Sequence, residues 1–316
     1  MKFKYQAAPS SALAIEGKRM MNKNDLNRSI IALCQLKGIG RKKVKTILKS
    51  VDNPADYHLL ELVEIGISLN VFSRNSTIGT FLDARKRADE ILKCCEENHI
   101  KMINSYSEDF PKALLFEDGP DLIYYKGDLS SLANMNRAAV IGTRVPSDIG
   151  YHFAYNCGKS LAEQGYTVVS GLALGCDTAA HLGCLKAGGK TVAFLPSNLM
   201  AITPRENMEL AERIIAGGGC IISEFSPLST SNAYMFIERD RLQAAASNFV
   251  LVSEFARNSG TLHTLHFAHT YGKPIYADDA IVNSDVDGYD AMTEEGIAYQ
   301  VGNMEEIKQF ILKNRQ

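Results

Sequence analysis

Apolar positions along this chain change period near residue 99. Before it they recur at helical spacing. Ile30, Ile31, Leu33 and Leu36 form one stripe over residues 25–36, and Val44, Ile47 and Leu48 form a second directly after Gly38-Ile39-Gly40. Short helices through 54–80 and a charged amphipathic helix over 81–98 complete a small helical region. Beyond it, brief apolar runs at 100–103, 122–125, 138–141, 167–169, 191–195, 220–222, 249–252 and 274–276 read as strands. Helical patterns at 151–164, 178–186, 206–215, 238–246 and 262–271 separate the later ones, and a closing helix is expected at 304–313 after a polar stretch beyond Val282. Continuous rather than alternating apolar strands, each followed by a helix, predict a parallel, doubly wound α/β sheet buried on both faces. The expected organisation is a tail over 1–24, an all-α domain over 25–98 and an α/β domain over 99–316.

Composition narrows this picture only slightly. Of 316 residues, 46% are apolar and 22% charged, as in ordinary globular proteins, and no apolar run approaches the roughly 20 residues of a membrane span. The N-terminus has no apolar core of the signal-peptide kind. The seven cysteines form no C-x-x-C pair and lie mostly in apolar contexts, which fits reduced thiols in a cytoplasmic protein rather than disulfides or zinc. Net charge is −2, but unevenly spread: residues 1–100 carry 17 Lys and Arg against 11 Asp and Glu, and the remainder 17 against 25. Nucleic-acid binding by the larger part must therefore come from a local site, not a global field.

The local chemistry collects where the strands end. In a parallel sheet ligands bind at the carboxyl ends, and here those ends read Gly142-Thr143-Arg144, Ser170-Gly171-Leu172-Ala173-Leu174-Gly175, Pro196-Ser197-Asn198, Ser223-Glu224-Phe225 and Ser259-Gly260-Thr261. Small and hydroxyl residues there leave backbone amides open to anions. No G-x-x-x-x-G-K-[ST] and no strand-linked G-x-G-x-x-G occurs, so the standard nucleotide signatures are absent, which argues against a Walker ATPase. In the helical region, Gly38-Ile39-Gly40 precedes Arg41, Lys42 and Lys43 in the first turn of a helix, the wrong end for cations against its dipole. That arrangement resembles a helix-hairpin-helix turn, which presents amides to a DNA phosphate, and it equally suits a plain hairpin with a solvated basic face.

VIGTR, VVSGLALGCDTAAHLGCL, AGGKTVAFLP, TPRENMEL, GGCIISEF, FIERDRL and NSGTLHTLHFAHTYGKPIYA, in this order over about residues 100–280, resemble the DprA/Smf family. The resemblance implies an extended Rossmann-like domain that binds single-stranded DNA and helps load the RecA recombinase, notably in natural transformation, and that self-associates as a homodimer. It assigns DNA backbone contact to Arg144 with Gly142 and Thr143. Ser170, Gly171 and Gly175 fall in its S-G-x-A-x-G loop, Asn207 in P-x-x-N, and Ser259, Gly260 and Thr261 in S-G-[ST]; Lys190, Arg239 and Arg241 are further basic positions. Arg144 could alternatively pair with Asp148 or Asp177 as scaffold, and Glu224 and Glu254 are expected to brace strand ends.

Three departures stand out. The family's R-N-R is here Arg239-Asp240-Arg241, which puts a carboxylate between two arginines. His263, His266 and His269 follow the S-G-[ST] loop at a spacing that is poor geometry for a shared metal and better suits neutral polar contacts near a phosphate pocket. The chain ends without the basic winged helix of many members. The resemblance implies no cofactor. LOG-type nucleotide hydrolases place a glutamate where Thr264 stands, so hydrolysis is disfavoured and a binding protein is expected. Two readings remain: a mediator of single-stranded DNA, or a sensor of a nucleotide-derived ligand using the same loops.

Overall fold

The computed structural model describes residues 23–72, 74–230, 232–284 and 286–313; the tail expected over 1–24 falls, up to residue 22, outside the described residues. In chain order the elements are α1 (Lys23–Gln35), α2 (Arg41–Lys49), α3 (Leu59–Ser68), α4 (Arg74–Glu97), β1 (Lys101–Asn104), β2 (Leu122–Gly127), β3 (Arg137–Ile141), α5 (Asp148–Glu163), β4 (Thr167–Ser170), α6 (Cys176–Lys186), β5 (Thr191–Phe194), α7 (Met208–Ala216), β6 (Cys220–Ser223), α8 (Ala233–Ala246), β7 (Phe249–Val252), α9 (Thr261–Thr270), β8 (Ile275–Asp278), α10 (Asp279–Val282), α11 (Gly288–Glu294), β9 (Gln300–Gly302) and α12 (Met304–Lys313). Two compact units result: Met1–Phe110 with Pro120–Ile123, and Pro111–Gly119 with Tyr124–Gln316. The sequence pattern placed the boundary near residue 99; β1 instead groups with the helical unit.

In the first unit the predicted stripes turn inward. Ile30, Ile31, Leu33, Val44, Ile47 and Leu48 are all 2% exposed or less. Each such burial contributes roughly 1.5–3 kcal/mol. Asn104 at the end of β1 donates from its amide to the Asn27 side chain at 2.7 Å.

The second unit is organised by its sheet. Within this unit the strands run β2-β6-β5-β4-β3-β7-β8-β9, and the neighbours from β6 to β9 are parallel. The β2–β6 pair departs from the expected parallel arrangement, being antiparallel through Tyr124↔Ser223 to Gly127↔Cys220. β4, β5, β6 and β7 are buried at every position, as strands covered on both faces must be. Sequence order reverses about β3, which lies between β4 and β7, so the β3–β7 crevice is the topological switch point.

Two stretches differ from the sequence reading. The polar segment beyond Val282 contains α11 and a ninth strand, β9, which pairs with β8. β9 is largely solvent-exposed, so no apolar run marks it. Helix α8 begins five residues before the predicted 238, because Asn232 caps it by accepting from the Met235 amide at 3.3 Å.

Candidate functional site

A cleft of about 310 Å³ opens at the carboxyl ends of β3 and β7. Its rim and walls are the Gly142-Thr143-Arg144 loop, the start of α9 at Ser259-Gly260-Thr261, and the face of α8 that carries Phe236, Asp240 and Gln243. Spacing of i, i+4 and i+7 puts those three α8 side chains on one side.

The arginine loop is held from three directions. The Thr143 amide donates to the Glu254 carbonyl at 2.6 Å, the Cys176 amide donates to the Thr143 carbonyl at 3.1 Å, and the Thr261 hydroxyl donates to the Gly142 carbonyl at 3.1 Å. Glu254 also accepts from the Ser147 amide at 2.6 Å and from the Ser147 hydroxyl, fixing the turn into α5. Gly175 supports the loop from below. Its φ is +74°, and a Cβ there would lie 2.5 Å from the Thr143 carbonyl oxygen and 2.7 Å from Arg144 backbone atoms. Only glycine fits.

Arg144 is exposed, with its guanidinium 5.4 Å from the centroid of the Phe236 ring. Among the described residues neither Asp148 nor Asp177 pairs with it, so the scaffold alternative is not what the structure shows. Beside it, α9 begins without a side-chain cap, and no protein acceptor among the described residues takes the backbone N–H groups of Gly260 or Thr261. An exposed guanidinium next to uncapped helix amides forms an anion-binding edge.

Other predicted residues serve the wall rather than the opening. Ser170 is fully buried, its hydroxyl donating to Val140 O at 2.7 Å. Asp177 accepts from the amides of Gly171 at 3.1 Å and Ala173 at 3.3 Å, so the Gly171 N–H is occupied. Asn207 donates to Leu172 O at 2.8 Å, Ala173 O at 3.2 Å and Thr178 Oγ1 at 2.8 Å, which ties the turn holding Leu172 at φ +61°. Arg239, 6% exposed, donates to Asp240 Oδ1 at 2.9 Å and to the carbonyls of Gly171 at 2.6 Å and Phe194 at 2.9 Å. It lines the cleft floor as a cross-brace between α8 and the ends of two strands, β4 and β5.

Two of the predicted basic residues are not brought to the cleft. Lys190 precedes β5 and lies at the amino edge of the sheet, roughly 13 Å of strand from the carboxyl ends, beside Asp128 at 3.6 Å. Arg241, one position round α8 from Asp240, faces away from the opening. It is 1% exposed, paired with Glu224 and Glu238, and stacked 5.7 Å from the Phe116 centroid.

The floor is acidic, as the Arg239-Asp240-Arg241 departure suggested, but its charge is directed inward. Burial raises the Asp240 carboxyl to about 6 against the opposing pull of Arg239, with Asp177 adding to the rise. Burial also raises Asp177, again opposed by Arg239. Asp240 thus balances Arg239 and leaves Arg144 uncompensated. His263, His266 and His269 are exposed on α9, and His266 Nε2 lies 2.7 Å from Glu295 Oε2. Sequence reasoning missed Phe236 and Gln243 as cleft residues; recognising the helix start would have put Phe236 on the face that carries Asp240 and Gln243.

In the first unit, the α1–α2 turn has Gly38 at φ +76° and Gly40 extended, with open space at both. Lys43 Nζ donates back to Gly38 O at 3.1 Å, and Ile39 is buried. Lys42 and Lys43 are exposed, whereas Arg41 is half-buried and acts with Lys45 and Lys49 on buried Asp121, whose carboxyl burial still raises to about 6. Among the described residues no helix is long and apolar enough to cross a membrane.

A family model described as DNA recombination-mediator protein A matches residues 101–312, a range that contains every cleft residue. Protein Smf of Escherichia coli K12 is 34% identical over 194 residues, 61% of this chain and 52% of its own length. DNA processing protein DprA of Bacillus subtilis is 30% identical over 188 residues, 59% of this chain and 63% of its own. The chain therefore spans about half the length of the curated relatives it matches. Among solved structures, DprA of Streptococcus pneumoniae aligns with a TM-score of 0.74 at 26% identity, over 92% of this chain and 98% of that one. DNA processing protein A of Helicobacter pylori, described for its single-stranded DNA binding mode, aligns with a TM-score of 0.61 at 28% identity, over 69% and 97%. With its motifs, sheet and cleft all inside the matched range, the chain belongs to the DNA recombination-mediator protein A family.

Proposed function

We propose that this protein is a DNA-processing protein that binds single-stranded DNA across the β3–β7 cleft, protects it and passes it to the RecA recombinase, acting as a homodimer and without catalysis. The observation that carries the reading is Arg144. It is exposed, free of carboxylate partners among the described residues, and set beside the uncapped start of α9 by a loop braced from three sides. Single-stranded DNA binding by the Helicobacter pylori relative supports it. The exposed Lys42 and Lys43 beside the Gly38–Gly40 turn supply a second phosphate contact. No carboxylate stands at Thr264 to act in LOG-type hydrolysis.

Binding to single-stranded oligonucleotides is expected to weaken steeply with salt. Arg144→Ala should raise Kd about tenfold and reduce the magnitude of the salt slope by about 1, with an unchanged melting temperature. Anisotropy titrations across salt concentrations measure both. Salt-insensitive binding, or an Arg144→Ala protein that binds like wild type, would overturn the reading. The cleft volume favours a second reading. About 310 Å³ is at the small end of the roughly 300–1,000 Å³ of small-ligand sites. A thermal shift with mononucleotides and none with oligonucleotides would select a nucleotide sensor instead.

A further inference from the structure

The helical unit has a cavity of its own, about 350 Å³ in volume, where α1, α3 and α4 meet. Arg28 of α1, His58 and Leu60 at the start of α3, and Phe81 and Arg85 of α4 line it, and no carboxylate does. Phe81 and Arg85 stand at i and i+4, so they share one side of α4. Both arginines have donors to spare. Arg85 is exposed and meets no acceptor among the described residues. Arg28 reaches the two carboxylate oxygens of Asp89 through Nη2 alone, at 2.6 and 2.7 Å, and its Nε and Nη1 meet none among those residues. Glu61, the nearest acid in α3, accepts from the His58 backbone amide at 2.7 Å and is engaged at the helix start. The apolar side of the cavity is open as well: Leu60 is 59% exposed, and Leu82, next to Phe81 on α4, is 73% exposed. Single exposed leucines need no explanation, but around a cavity rimmed by free guanidinium donors they make one mixed surface. A phosphate chain would use the arginines and leave the leucines in water. An uncharged apolar segment would cover the leucines and leave the arginines unanswered. The chain's own residues 1–22 carry four Lys and Arg against one Glu, the wrong sign for this surface.

We propose that this cavity docks an acidic peptide segment of a partner protein, in which a large apolar residue is flanked by aspartates or glutamates. The apolar side chain enters against Leu60 and Phe81 and takes that surface out of water. The flanking carboxylates accept forked hydrogen bonds from Arg85 and from the free edge of Arg28, a geometry that guanidinium groups are shaped for. His58 adds positive charge at the α3 side when it is protonated. Every residue of this site lies outside the family-matched range 101–312, so the site is separate from the β3–β7 cleft and its failure leaves the proposed function standing.

The test pans a displayed library of random dodecapeptides against the full chain and measures the enriched sequence, as a labelled synthetic peptide, by anisotropy. The comparison set is that peptide with its acids changed to lysine, that peptide with its apolar residues changed to serine, and an oligo(dT) strand. The proteins are wild type, Arg85→Glu and Leu60→Asp. Both substitutions are at exposed positions, and unchanged melting temperatures show that the variants fold. Enriched peptides should carry acids around an apolar residue, and their affinity should fall as salt rises. Either protein variant, and either altered peptide, should raise Kd about fivefold or more. Failure to enrich any peptide, enrichment of peptides without net negative charge, or an affinity unchanged in both variants overturns the proposal. Oligo(dT) binding that Arg85→Glu weakens, with no acidic peptide selected, makes the cavity a nucleic-acid contact and overturns it too.

Discussion

Arg239 separates a structural from a ligand-binding role most sharply, because its position reads as a DNA contact in sequence and as a brace in three dimensions. Arg239→Met removes the cation shared by Asp177 and Asp240, each 5% exposed, and leaves the carbonyls of Gly171 and Phe194 without their donor. Breaking a buried ion pair from one side costs about 3–5 kcal/mol, and each orphaned acceptor adds about 1–3 kcal/mol. The loss is of the same order as the whole stability of a domain, about 5–15 kcal/mol. Arg239→Met should therefore lower the urea midpoint severely, and Arg239→Lys, which keeps charge but loses the forked geometry, should lower it less. The chain contains no tryptophan, so circular dichroism is the suitable probe. Two further readings constrain the cause. The penalty should shrink at acidic pH, where protonated Asp177 and Asp240 no longer need the cation. It should also shrink in an Asp240→Asn background, by a coupling of about 0.5–3 kcal/mol. An Arg239→Met protein with a wild-type midpoint and weakened DNA binding alone would refute the reasoning.

Three other outcomes follow from the same geometry. Gly175→Ala forces a Cβ into the Thr143–Arg144 backbone at φ +74°; strain and overpacking of about 1–3 kcal/mol each should appear as a lowered melting temperature together with weakened binding. Lys190→Ala should leave oligonucleotide affinity within about twofold and cost at most about 1 kcal/mol, because its pairing with Asp128 is exposed and on the other edge of the sheet. Stability should carry two opposed pH dependences. Asp240, raised to about 6 chiefly by burial, holds more protons folded than unfolded between about pH 4 and 6, so its contribution falls as pH rises through that window. His181, lowered to about 3 by burial and by Arg239, holds fewer protons folded, so its contribution is lost as pH falls below about 6.5. Asp240→Asn removes the first and leaves the second. Between pH 4 and 6 the variant's stability should then rise with pH more steeply than wild type, by up to ~1.4 kcal/mol per unit; parallel urea curves would contradict the assignment.

Much of this protein was legible in its residues one at a time. Continuous apolar runs such as Ala138–Ile141 and Phe249–Val252 announce buried parallel strands, and the helical stripes around Ile30 and Ile47 announce the first unit, because burial on two faces or one leaves a local periodicity. Arg144 could be singled out for the same reason: a glycine loop at a strand end is a local feature. What sequence order could not convey is which polar group answers which. Arg144, Arg239 and Arg241 look alike as basic positions, yet one is exposed, one ties α8 to two strand ends and one is sealed against Glu224 and Glu238. Lys190 shares a motif with a cleft strand but stands at its opposite end. β9 has too few buried positions to leave a pattern, and the helix cap at Asn232 decided whether Phe236 belonged to the cleft. The chain alone determined the sheet and the family motifs, since those rest on hydrophobic period and turn chemistry between near neighbours. Only the tertiary structure decided the charge of the site, because each arginine's field depends on carboxylates and carbonyls that meet it from other elements of the fold.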